Sequence, residues 1–404
     1  MKIYTHAFDF LQPYIEDTEG IDLVEEASQA DFVLTMNNAG HDELIEQARD
    51  IAHEAGKPFC WWTIEDPNSY LYFLDQAQMA DYVFTSDACL IPNYRRDLGH
   101  NRVYWLPLAA APKYHHPLPL AEDATDFVFS GNWYPNEARR WGNETVILPL
   151  ARAGYSMTIY SYEEPPYDEL KPFWKGATSC RDVAEQYTHG KIVLGNNNQR
   201  SGMDGIEKTV MTSMRTFEAL ACGKPFLSPQ SDVYGALGFS LRPTALIHNG
   251  KAIIPYIGEF FAVSDGDSTI GSAQMLLEEI APDWMSILSE RGRDFVLSRH
   301  TYRHRMERIL SAINGTAIPE VYWAYSEAAR AMKRFLILHT PDDIYIGIGN
   351  IGEADTLEEA EKIIAEQDYD HRHYEPNERG QYPVIIDFEK RRIIRDGKAS
   401  EAAK

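Results

Sequence analysis

The stretch MTSMRTFEALACGKPFLS, residues 211–228, sets a cation and a carboxylate three residues apart at the start of a helix. Met214, Phe217, Leu220 and Ala221 recur at helical spacing, and Gly223 with Lys224–Pro225 turns the chain into a strand at Phe226. Thr212 and Ser213 are both N-cap types, so Arg215 falls in the first turn. A cation there opposes the helix dipole, whose positive end favours an anion. Glu218 follows in the weaker order for an intrahelical pair, because acid before base is the better arrangement. A phosphate resolves the conflict by attracting the backbone N–H groups and Arg215 together. Glu218, one turn deeper, suits the paired hydroxyls of a sugar. Phosphate contact followed by hydroxyl contact describes a nucleoside diphosphate with its ribose. The plain alternative is an exposed Arg–Glu ion pair.

Short apolar strands and amphipathic helices must position this pair. DFVLTM, KPFCWWTIE, DYVFTSD and VYWLPL read as strands, separated by helices at HDELIEQARDIAHEAG, NSYLYFLDQAQM and LIPNYRRDLG. Buried strands alternating with helices indicate a parallel sheet covered on both faces. AAAPKYHHPLPLAED then breaks the period with three prolines and reads as a linker able to act as a hinge. Alternation resumes with DFVFSGNWY, a helix from about Asn136, SMTIYS, a helix around Asp182–Tyr187, KIVLGNN and KPFLSP. The two halves share a helix–Gly-Lys-Pro-Phe–strand unit, at HEAGKPFCWWTIED and ALACGKPFLSPQSD. From residue 331 the pattern becomes a small α+β appendage: strands at RFLILH, IYIGIG, YPVIIDF and RRIIRDG, and a helix capped by Thr356 and Glu359. DYDHRHYEPNERGQY in this region has no metal-site spacing and reads as a loop.

Ligands of open parallel sheets bind beyond the carboxyl ends of the strands. In the second half that edge holds Gly131 and Asn132 after a strand, with Arg139 or Arg140 on the next helix within reach of phosphate. Gly195, Asn196 and Asn197 end another strand there and are placed to read a base or phosphate. Ser213, Thr216, Lys175, Arg200 and Lys208 complete the polar candidates. In the first half, His6 and Asp9, Glu65 and Asp66, and His41 lie at strand ends or helix starts, where a titratable side chain could serve as a general base. Asp66 before Pro67 also suits a helix cap, and Trp61, Trp62 and Tyr70 default to core packing.

Composition limits the remaining possibilities. A 404-residue chain with 44% hydrophobic and 25% charged residues builds two or three globular domains. A formal net charge of −23 disfavours non-specific binding to nucleic acid or anionic membranes. Cys60, Cys89, Cys180 and Cys222 form no CxxC pair, which argues against a disulfide framework or zinc site. No secretory signal or membrane-length apolar run is present, so the expected location is cytoplasmic. The basic run RGRDFVLSRHTYRHRMERIL carries an apolar face and interspersed acids, and reads as a structural helix rather than a nucleic-acid surface.

TSMRTFEALACGKPFLS resembles the nucleotide-sugar motif of GT-B glycosyltransferases, and more closely that of the CgeB-like (spore maturation) branch. TIEDPNSYLYFL, ADYVFTSD, VYWLPLAAAPKYHHP, FVFSGNWYPNEARR and SRHTYRHRMERIL follow in that branch's order through most of residues 60–312. The resemblance implies two Rossmann-like domains facing a cleft, with the acceptor in residues 1–117 and the nucleotide sugar in residues 118–330. The last helices of the second domain can pack back on the first, and residues 331–404 form the appendage. It further implies a metal-independent hexosyl- or pentosyltransferase with a nucleotide-sugar co-substrate, a uridine diphosphate sugar foremost, and no other cofactor. A Glu at position 218 would bind the donor ribose. Many members carry a second Glu eight residues earlier, where this chain has Val210, leaving donor sugar and stereochemistry open. Expected catalytic residues are Arg215, His6 and Asp66. The acceptor is a hydroxyl of a polysaccharide, protein, small molecule or hydroxylated base in viral DNA. A non-catalytic binding or assembly module is the alternative.

Overall fold

The computed structural model describes residues 1–67, 69–133, 137–197, 209, 211–244, 246–248, 251–279, 282–316, 335–341, 349–354, 356–365, 381–387 and 392–395. The chain begins with six strands: β1 Lys2–Thr5, β2 Asp22–Leu23, β3 Phe32–Met36, β4 Phe59–Thr63, β5 Tyr82–Thr85 and β6 Val103–Trp105. They form one parallel sheet in the order β2-β1-β3-β4-β5-β6. Every residue of β3 and β4 is buried, as strands covered by helices on both faces must be. The Asp42–Glu54 helix covers one face with Ile45, Ala48 and Ala52. Asp42 and Glu43 complement its dipole, and Gly56 leaves it at φ +62°.

The second parallel core comprises β7 Thr125–Ser130, β8 Met157–Tyr160, β9 Gly190–Leu194 and β10 Phe226–Pro229. The chain continues through β11 Arg242–Pro243, the separate β12 Leu246–His248 and β13 Lys251–Ile253 pair, then β14 Tyr256–Ile257 and β15 Phe261–Val263. The seven-stranded order is β11-β14-β15-β10-β9-β7-β8, with an antiparallel edge at β11 and β14. That edge has no counterpart in the alternation read from sequence. Two parallel α/β domains are thus present.

The Pro-rich connection is not the loose linker its prolines suggest. Ala109, Ala110, Ala111 and His115 are buried, and Ala110 forms a parallel bridge with Thr301. Its small side chains admit the turn between the Pro282–Arg299 and Tyr302–Ile313 helices. Tyr302 stacks on Tyr14 of the first domain, and buried Arg305 donates to the Pro107 and Leu108 carbonyls at 2.7 and 2.9 Å. The basic run therefore spends its central arginine on backbone carbonyls between domains.

Two other elements differ from their sequence reading. The helix expected across 68–79 is confined to Leu74–Gln78. Before it the chain runs in turns, although Tyr70 and Phe73 enter the core at helical spacing while Leu71 and Tyr72 face solvent. Near the carboxyl terminus, β16 Phe335–Pro341, β17 Gly349–Ala354, β18 Gln381–Asp387 and β19 Arg392–Arg395 form an antiparallel sheet, ordered β17-β16-β18-β19. The strand expected at IYIGIG begins only at its last residue, Gly349, and the rest of that segment lies outside the described residues. The Leu357–Ala365 helix starts with the expected box: Thr356 N–H donates to Glu359, and Glu359 N–H to Thr356 Oγ1.

Candidate functional site

The Met214–Ala221 helix is buried throughout and points its amino end at the carboxyl ends of β7 and β9. Ser213 is extended at the N-cap position, but its side chain caps nothing. Asn197 organises the start instead. Its Oδ1 accepts from Ser213 N–H and Oγ, and its Nδ2 reaches Thr212 Oγ1 at 2.8 Å and the Tyr234 hydroxyl. Thr212 and Thr216 hydroxyls lie 2.8 Å apart beneath it. Asn197 and Thr216 are thus enclosed within this network.

Arg215 is only 5% exposed. Its Nε donates to the Ser130 carbonyl at 2.5 Å and its Nη1 to Asn196 Oδ1 at 2.8 Å. The guanidinium also lies 4.4 Å from the centre of the Phe129 ring. Two oxygen dipoles and a ring face thereby hold a cation beside the positive end of a helix. Gly131 supplies the room, since a Cβ there would fall 1.6 Å from Arg215 Nη2. Sequence reasoning reserved that space for a ligand, whereas the arginine itself lies in it. Asn196, fully buried, also donates to Asn143 Oδ1 at 3.0 Å, and Gly142 lets the preceding helix press against the Asn196 backbone.

Glu218 is not the partner of Arg215 in a surface pair. It is 6% exposed, its Oε2 accepts from the Tyr187 hydroxyl at 3.3 Å, and its Oε1 lies 3.7 Å from His115 Nε2. Burial pushes its carboxyl up to about 7, outweighing the opposing effects of Arg215 and the Tyr187 hydroxyl. His115 accepts the Ala111 N–H on Nδ1 at 3.0 Å, so its ring proton belongs on Nε2, facing Glu218. Burial and neighbouring His116 lower this imidazole to about 3, which keeps it neutral. Sequence reasoning missed His115 because it sits in the segment taken for a linker.

The structure therefore gathers Gly131, Asn196, Asn197, Ser213, Arg215, Thr216 and Glu218 around one helix start. Asn132 is exposed at the rim and Arg140 is exposed beside Glu144. The side chain of Arg139, together with Arg200, Lys208 and Val210, lies outside the described residues. Lys175 is exposed.

His6 and Asp66 belong to the first domain, and their hydrogen bonds among the described residues stay within it. His6 Nε2 is buried without a partner. Asp66 does not cap a helix: it accepts from the Thr85 hydroxyl at 2.5 Å and the Tyr94 hydroxyl at 3.2 Å. The next helix begins eight positions later, at Leu74, too far for a cap. Burial raises the Asp66 carboxyl to about 7. Asp87, absent from the sequence candidates, accepts from Thr209 at 2.6 Å and so links the end of β5 to the segment before the 214–221 helix. Glu65, Asp9 and His41 are exposed, and His41 sits 3.2 Å from Glu43. Trp61, Trp62 and Tyr70 are core residues.

Residues 139–311 match the family model described as glycosyl transferase-like, a span that holds Arg215 and Glu218 but neither Gly131 nor His115. An α-glucosyltransferase solved with UDP and a 13-mer DNA superposes with a TM-score of 0.52 at 9% identity, covering 78% of this chain and 99% of its own. That likeness establishes the shared fold, the two-domain GT-B architecture. Anabaena HepE, solved with UDP and glucose, gives a TM-score of 0.46 at 10% identity, covering 78% of this chain and all of its own. The lipopolysaccharide outer core galactosyltransferase WaaB gives 0.39 at 13% identity, covering 78% and 99%. No curated protein matches the sequence. Among the described residues no helix is long and apolar enough to cross a membrane.

Proposed function

We propose that this chain is a glycosyltransferase of the CgeB-like branch that moves a sugar from a nucleoside-diphosphate sugar, a UDP-sugar foremost, to a hydroxyl acceptor. The observation that carries this reading is the pairing of Arg215 and Glu218 on one buried helix, at the amino end and one turn below it. Arg215 and the first N–H groups of the helix neutralise the diphosphate, while Glu218 takes the ribose hydroxyls. As the glycosidic bond breaks, negative charge grows on the leaving diphosphate, and groups already fixed in place stabilise it without reorganising. Protein groups thus take the role that a divalent metal plays in other transferases.

The second domain, taken as residues 118–330, holds the donor, and the first, residues 1–117, presents the acceptor. His6 is the first-domain candidate for orienting the acceptor hydroxyl, because its buried Nε2 has no partner. Asp66, already bonded to Thr85 and Tyr94, supports the β4–β5 edge. The acidic balance of the chain favours a neutral acceptor over a nucleic acid. Calorimetry with a panel of nucleoside diphosphates in chelator tests the donor half. Binding of one member supports the reading, and failure of every member overturns it. Donor turnover then separates a transferase from a binding module of the same fold.

A further inference from the structure

Resting on that donor assignment, we propose that His115 is a positioning residue of the donor site, holding the Glu218 carboxylate for the ribose hydroxyls through its Nε2–H. An ionised carboxylate offers about four lone-pair positions. The Tyr187 hydroxyl occupies one, on Oε2. His115 Nε2 lies 3.7 Å from Oε1, longer than a hydrogen bond and short enough for a small carboxylate rotation to close. Those two donors leave two positions, the number that a pair of ribose hydroxyls requires.

The fixity of His115 sets it apart from an incidental neighbour. It is fully buried, its Nδ1 is committed to the Ala111 N–H, and its ring packs 5.7 Å from that of Tyr14. The ring cannot turn to satisfy its second nitrogen elsewhere without giving up the first contact. Its Nε2 consequently has no hydrogen-bond partner among the described residues, a state that is costly in a protein interior. The carboxylate 3.7 Å away, Glu218, is the side chain on the neighbouring helix that the ribose needs in a defined orientation. Because His115 belongs to the segment joining the two sheets, donor binding also becomes sensitive to how that segment is seated.

Three variants and two ligands test the assignment. His115→Asn retains an oxygen for the Ala111 N–H but cannot reach Glu218, whereas His115→Gln extends an amide donor toward the Nε2 position. Calorimetry with UDP should show affinity lowered about tenfold in His115→Asn, the size of one lost hydrogen bond to a charged group, and largely restored in His115→Gln. Affinity for 2′,3′-dideoxy-UDP should change less than about twofold in both, since that ligand makes no demand on Glu218. In a Glu218→Gln background His115→Asn should add nothing further. Equal weakening of both ligands, or full additivity with Glu218→Gln, overturns the assignment in favour of a packing role. If wild-type protein binds UDP and Glu218→Gln weakens it while His115→Asn does not, His115 is excluded and the donor reading stands. If wild-type protein binds no nucleoside diphosphate, both fall. Should His115→Asn not fold, the His115 Nε2–H resonance in wild-type protein gives the same answer. It should move downfield with UDP and stay in place with the dideoxy ligand, and an unmoved resonance with UDP contradicts the assignment.

Discussion

The two parallel sheets end in similar ways but carry opposite chemistry at their carboxyl edges. Beyond β4 and β5 lie two buried acids, Asp66 and Asp87, which accept from the hydroxyls of Thr85, Tyr94 and Thr209. Beyond β7 and β9 lies a buried cation, Arg215, held by a carbonyl, an amide oxygen and a ring, with a buried acid one turn below. Asp66 and Glu218 are both pushed up to about 7 by burial, yet only Glu218 has a cation on its own helix to favour ionisation. One supersecondary unit thus serves two ends. Hydroxyl-bonded acids hold an edge together, while a buried acid one turn below a buried cation and a helix amino end is the arrangement on which the proposed donor site rests.

The contrast breaks most readily at Gly131. Gly131→Ala sets a methyl group onto the guanidinium of Arg215, so either the arginine or the end of β7 must move. Overpacking of this kind costs about 1–3 kcal/mol of stability. UDP affinity should fall by more than about tenfold if Arg215 is the group displaced. Melting temperature and calorimetry on the same sample separate the two effects, and intact affinity in a folded variant would show that the position of the guanidinium is unimportant.

A second test concerns protons. Asp66 and Glu218 each hold a proton in the folded chain across a range where the unfolded chain has lost it, from their ordinary values of 3.8 and 4.5 up to about 7. The contribution of each is therefore fully present at low pH and is lost as pH rises through about 7. Up to about 1.4 kcal/mol per pH unit is at stake for each group. The drop in melting temperature from pH 5 to pH 8 should shrink in Asp66→Asn and in Glu218→Gln, and the two effects should add because the sites share no contact. A pH profile unchanged in either variant would mean that the carboxylate is ionised in the folded chain.

The smallest effect is expected at Arg140. It is exposed on the helix that follows β7 and pairs with Glu144 at helical spacing. Arg140→Ala should alter UDP affinity less than about twofold, as for other exposed pairs. A tenfold loss would bring the exposed rim into the site and weaken the distinction between buried and solvated cations.

Much of this organisation was legible in the sequence, for identifiable reasons. The strands at DFVLTM, KPFCW and KIVLG are short apolar runs bounded by turn residues, and a misplaced charge at Arg215 marks a helix start wherever the fold puts it. Side-chain routes were not legible. Gly131 and Arg215 are 84 positions apart, and the space one leaves for the other exists only once β7 lies beside the helix. Asn196 and Asn197 are readable from sequence only as polar residues at a strand end; the partners that hold them, Asn143 and Arg215 for Asn196 and the Thr212–Tyr234 network for Asn197, come from distant segments. His115 was hidden because proline spacing indicates a break in regular structure and carries no information about burial. Asp66 offered two local roles, and the hydroxyls that settle its contacts come from Thr85 and Tyr94, outside its own turn.

The central claim is that Arg215 meets a diphosphate and Glu218 its ribose, and calorimetric titration of Arg215→Ala with UDP and with uridine tests it most directly. The account predicts that UDP binding weakens by about 1.5–3 kcal/mol, roughly 10- to 150-fold, while uridine binding stays within about twofold of wild type. Equal losses for both ligands, or no loss for either in a folded variant, would contradict it.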